Sequence, residues 1–93
     1  MSREEVVTAL EQALGRRIKA ESYLDALMIC NNGVKAKLVS ITGHMHCITV
    51  TVKKNDVEFT ATGNTMALAL LRACLQAVTV FPVAQDVNPN EVK

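Results

Sequence analysis

"ITVTVKKNDVEFTAT", residues 48–62, decides the fold. Ile48, Val50 and Val52 alternate with Thr49, Thr51 and Lys53, and the alternation resumes at Val57, Phe59 and Ala61. A period of two puts successive side chains on opposite faces of a strand. Between the runs, Lys54-Asn55-Asp56 reads as a short hairpin connection, because asparagine and aspartate tolerate the positive φ that tight turns need. One face of the hairpin collects Ile48, Val50, Val52, Val57, Phe59 and Ala61. The other collects Thr49, Thr51, Lys53, Glu58, Thr60 and Thr62. Such a sheet is covered on its apolar side and open to water on its threonine side.

Upstream, Val34-Lys35-Ala36-Lys37-Leu38 alternates as well and predicts a first strand, making a three-stranded antiparallel meander. Downstream, Gly63-Asn64-Thr65 caps a helix expected from about Met66 to Ala77. That helix is apolar nearly all round, with Arg72 and Gln76 its only large polar breaks. Such a helix needs burial on more than one side. The sheet covers one flank, and the first helix or a second subunit must cover the other. Leu68, Leu71, Arg72 and Leu75 are therefore the expected interface of a homodimer or higher oligomer. Val78 to Phe81 is β-prone and extends beyond the helix.

The N-terminal third reads as helical. Ser2-Arg3-Glu4-Glu5 is a capping box, Val6, Val7, Leu10 and Leu14 share a face, and Gly15 can close the helix. Ser22 and Asp25 repeat the cap before a second helix whose stripe is Leu24, Leu27 and Met28, stopped by Asn31-Asn32-Gly33. A strand over residues 19–29 is the competing reading. The sum is one α+β domain over residues 1–81, in the order α-α-β-β-β-α, with a three-stranded antiparallel sheet and helices on one face. Residues 82–93 are expected to be a flexible C-terminal tail.

With 93 residues there is room for one domain. Only 3% of the residues are aromatic, so stacking platforms for single-stranded nucleic acid are scarce. The net charge of +1 lacks the basic excess of a nucleic-acid binder. Three cysteines without a CxxC spacing read as small buried hydrophobes in a reducing compartment. The longest apolar run, Met66 to Leu71, is far too short to cross a bilayer. A soluble cytoplasmic protein is expected.

The one stretch that suggests chemistry is "GHMHC", residues 43–47. A metal site needs three or four converging ligands. His44 and His46 could share a strand face, but Cys47 would then point the other way, and no second His pair or CxxC exists to complete the set. The same opposition keeps His46 from acting as a base for Cys47. No glycine-rich phosphate loop is present. Neither a metal nor another cofactor is expected, nor an enzyme; the stretch reads as a polar turn. The basic residues form three groups, Arg16-Arg17-Lys19, Lys35-Lys37 and Lys53-Lys54, read either as solvated edge charge or as a patch for an acidic partner.

Two resemblances bear on function. "KLVSITGHMH", residues 37–46, is similar to the first strand and Gly-Pro-x-His loop of the double-stranded-RNA-binding domain, with Gly43 and His46 matching and His44 replacing the proline. "VEFTATG", residues 57–63, is similar to that family's third strand. The likeness runs from Ser22 to Val78 and implies a loop histidine laid against the minor groove of RNA. It departs where the family places phosphate-gripping lysines, because Asn64, Thr65, Met66, Ala67 and Leu68 stand there. Phosphate contacts supply most of the affinity in such complexes. "TATGNTMALALLRACLQAV", residues 60–78, resembles the end of small phage-encoded αβ accessory proteins. That likeness implies stoichiometric binding, as an accessory, anti-defence or inhibitor protein, to a macromolecular and most simply a protein partner. Double-stranded RNA binding is the alternative, and capture of a small anion or nucleotide within an oligomer the third. The candidate binding residues are His44, His46, Lys35, Lys37, Lys53 and Lys54.

Overall fold

The computed structural model of the chain describes residues 2–83. Its elements are α1 (Arg3–Leu14), α2 (Tyr23–Met28), a π-helical turn (Ile29–Val34), β1 (Lys37–His44), β2 (Cys47–Lys54), β3 (Val57–Gly63) and α3 (Met66–Val80). The fold is α+β in the order α-α-β-β-β-α, with a three-stranded antiparallel sheet ordered β1-β2-β3. Of the tail expected over 82–93, residues 84–93 lie outside the described residues.

Both expected capping boxes form. Ser2 Oγ accepts from the Glu5 amide while the Ser2 amide donates to Glu5 at 2.8 Å, which holds the Glu5 carboxyl below its ordinary value. Ser22 and Asp25 form the second box, so residues 23–28 are helix rather than strand. Gly15, with φ 74°, closes α1 in the left-handed conformation.

The expected stripe of α2 is corrected. Leu24 is 68% exposed and Met28 60%, whereas Ala26, Ile29 and Cys30 are buried and Tyr23 and Leu27 half-buried. The inward face is thus Tyr23, Ala26, Leu27 and Cys30, spaced i, i+3, i+4 and i+7. The stop at Asn31-Asn32-Gly33 takes the form of a π turn. Lys35 then adopts φ 65°, and the Ala36 amide donates back to the Cys30 carbonyl at 2.9 Å. Val34 is therefore buried in that turn, and β1 begins at Lys37 instead of Val34.

The β2–β3 hairpin closes on Asn55 and Asp56, both at positive φ (53° and 65°), as a type I′ turn demands. Lys54 pairs with Val57, Val52 with Phe59, and Val50 with Ala61. In β1 the register slips between Leu38 and Ser40, so Val39 is an extra residue, and Leu38 and Ile41 share the inner face despite being three apart. Val57, expected on the covered face, lies at the hairpin end and is 41% exposed.

All helices pack on the inner face. α3 lies against β2 and β3, with α1, α2 and the π turn packed around it. Ala69, Leu70, Leu71, Ala73, Cys74, Ala77 and Val78 of α3 are buried within this one chain. That corrects the reading of Leu71 as an interface residue: it has no exposed surface, because the N-terminal helices cover the flank assigned to a second subunit. Leu68, Arg72 and Leu75 stay half-exposed. Residues 78–80 continue the helix, with Val78 buried against the core and Thr79 Oγ1 donating to the Leu75 carbonyl at 2.7 Å, and Phe81 meets Phe59 edge-to-face at 6.0 Å.

Candidate functional site

The outer face of the sheet is covered by none of the described elements. Cross-strand pairing sets its rungs, because paired residues project to the same side. Lys37, Lys53 and Glu58 form one rung; Ser40, Thr51 and Thr60 the next; Thr42, Thr49 and Thr62 the third; His44 and Cys47 the last. Two adjacent rungs therefore carry six hydroxyls on a regular lattice. With strands about 4.8 Å apart and alternate residues about 6.7 Å apart, those two rungs form a grid roughly 10 Å wide. Thr51 and Thr60 bond to each other through their hydroxyls at 3.0 Å, which fixes both rotamers at the centre of the face. The sequence displayed only the β2 and β3 columns of this face. Ser40 and Thr42 are not legible as part of it, because the bulge at Val39 breaks the alternation that starts at Val34 and moves both residues to the opposite face.

The six candidate binding residues do not form one site. His44 ends β1 and His46 lies in the two-residue turn, at one end of the sheet. Lys37 and Lys53 are paired at the other end, six residues along β2, or about 20 Å away. Glu58 stands beside Lys53 and offsets that small positive cluster. Lys54 is partly buried and donates from Nζ to the Val34 carbonyl at 2.6 Å, so it caps the π turn. Lys35 is the exposed residue that ends that turn.

The "GHMHC" stretch is indeed a turn between strands. Gly43, at φ 102°, leads into it, and a Cβ there would overlap the Cys47 carbonyl oxygen. The turn also corrects the expected orientations. His44 and Cys47 are cross-strand partners on one face, and His46 is separated from both by the chain reversal. Among the described residues no three His, Cys, Asp or Glu side chains come together as a metal site would need. His46 and Cys47 instead border a cleft of about 360 Å³ with Gly63, Asn64, Leu68 and Arg72, beside the start of α3.

Cys30 and Cys74 are buried, and Cys47 is exposed. A hydrogen bond to Cys30, together with burial, pushes the Cys74 thiol far up, so it stays protonated and inert. Among the described residues, no helix is long and apolar enough to cross a membrane. No family model matches the chain, and neither does any curated protein.

Proposed function

We propose that this chain is a non-catalytic binding protein, of the phage-type accessory or inhibitor kind, that docks stoichiometrically on a protein partner through the outer face of its sheet. The observation that carries the reading is the uncovered face itself: six hydroxyls in two adjacent rungs, held in register by the strand pairing and bounded, beyond the bulge at Val39, by Lys37, Lys53 and Glu58. A rigid, nearly neutral, hydrogen-bonding surface suits a protein, because donors and acceptors lie in register without ordering long side chains.

The same surface is poorly made for RNA. His46 does border a cleft beside the start of α3. Yet the first turn of α3 carries no basic residue, and Arg72 already donates from Nη1 to the Thr62 carbonyl at 2.8 Å. Too few phosphates would be neutralised for tight binding at physiological salt.

The test is co-purification from lysate of the cells in which the protein acts, with and without nuclease. The expected result is one protein retained in equimolar amount, unaffected by nuclease, and lost with Thr49→Glu/Thr62→Glu. Retention of RNA alone, abolished by nuclease, would favour the RNA reading instead.

A further inference from the structure

The two edges of the sheet are unlike. β1 is blunted by the bulge at Val39 and by Lys37, both of which discourage strand addition. β3 runs seven residues in unbroken register, carries Glu58 as its one charge, and has no described strand on its outer side. Lys54 and Val57 flank a two-residue turn and form a hydrogen-bonded pair. The alternation then turns the amides and carbonyls of Glu58, Thr60 and Thr62 toward the free edge. The Arg72 bond to the Thr62 carbonyl, reaching it from α3, agrees with this phase.

We propose that two copies of this chain pair through antiparallel β3 edges, with Thr60 opposite Thr60 of the second copy. This register alone uses all three outward-facing residues, since Glu58 then meets Thr62 on both sides of the dyad, the Thr62 carbonyl accepting from the Glu58 amide with its second lone pair beside the bond from Arg72. It separates the two Glu58 carboxylates by about four residues of strand, roughly 13 Å, beyond the Debye length at physiological salt. On the inner face Phe59 falls opposite Ala61, large against small.

The helix flank above the edge fits the same partner. A groove of about 750 Å³ runs beside β3, lined by Phe59, Ala61, Leu75, Thr79 and Val80 among others, and Val80 is 57% exposed. α3 lies over β2 and β3. A dyad half a strand spacing beyond β3 therefore sets the two α3 helices roughly 10 Å apart, a normal helix-packing distance. Leu75 and Val80 of each copy would close the other's groove. The result is a six-stranded sheet whose two hydroxyl faces are continuous. This inference is independent of what the outer face binds.

Light scattering at micromolar concentration should give twice the chain mass. Thr60→Pro should give a folded monomer, because proline is tolerated on an edge strand whose N–H faces outward but cannot donate across the dyad. In a Cys47→Ser background, Thr60→Cys should form an interchain disulfide on mild oxidation, since hydrogen-bonded cross-strand partners lie about 5.5 Å apart at Cα. Thr51→Cys, on the central strand and the same face, should not. A monomeric wild type, a dimer that survives Thr60→Pro, or equal crosslinking from Thr51→Cys would each overturn the proposal. If Thr60→Pro fails to fold, the crosslinking pair decides alone.

Discussion

Leu71→Glu is expected to abolish cooperative unfolding altogether. Leu71 has no exposed surface and sits with Leu70 and Cys74 on the covered side of α3. Removing a buried leucine costs about 2–5 kcal/mol through lost transfer energy and the cavity left behind. A carboxylate placed there adds a desolvation penalty of several kcal/mol more. A domain of 93 residues holds only about 5–14 kcal/mol in total, so the sum meets or exceeds the margin. Circular dichroism on heating should show no sigmoidal transition, while Leu75→Glu, half-exposed on the same helix, should keep one. A cooperative Leu71→Glu variant would mean that Leu71 lies at a surface, as the apolar sequence of α3 first suggests.

The second large effect is at Gly43, where burial plays no part. The residue is exposed, but its φ of 102° is closed to side chains, and a Cβ would overlap the Cys47 carbonyl. Strain of this kind costs about 2–3 kcal/mol. In a domain of this length each kcal/mol moves the midpoint by about 4–8 °C. Gly43→Ala should therefore melt roughly 10–20 °C lower, while Thr42→Ala, the exposed neighbour, should move it little. An alanine variant melting within about 3 °C of the parent would contradict the backbone conformation assigned to this turn. "GHMHC" would then owe its glycine to something other than the chain reversal.

Where local chemistry dictates local structure, the sequence was a good guide. The serine caps of α1 and α2, the Asn55-Asp56 turn and the alternation along β2 and β3 each have a short-range cause, and each appears in the fold. The misreadings share a different cause. The π turn at 29–34 leaves no periodic signature, so the alternation from Val34 predicts strand where tertiary packing buries that residue in a turn. The bulge at Val39 shifts the phase of β1 by one residue, and with it the faces on which Ser40 and Thr42 project. Leu24 and Met28 followed a helical stripe but fell on the outside of a helix only six residues long, whose docking is set by its neighbours. For the candidate site, the threonines of β2 and β3 were legible as an open face. That β1 completes it, and that the lysines and histidines stand at opposite ends, depends on register.

Binding through the hydroxyl face is tested most directly by amide hydrogen exchange and chemical-shift mapping of the isolated protein against its co-purified partner. The expected footprint covers Ser40, Thr42, Thr49, Thr51, Thr60 and Thr62, with the exposed residues of α1 and α2 unchanged. A footprint on the helical layer, with the threonine face unaltered in the complex, would contradict it.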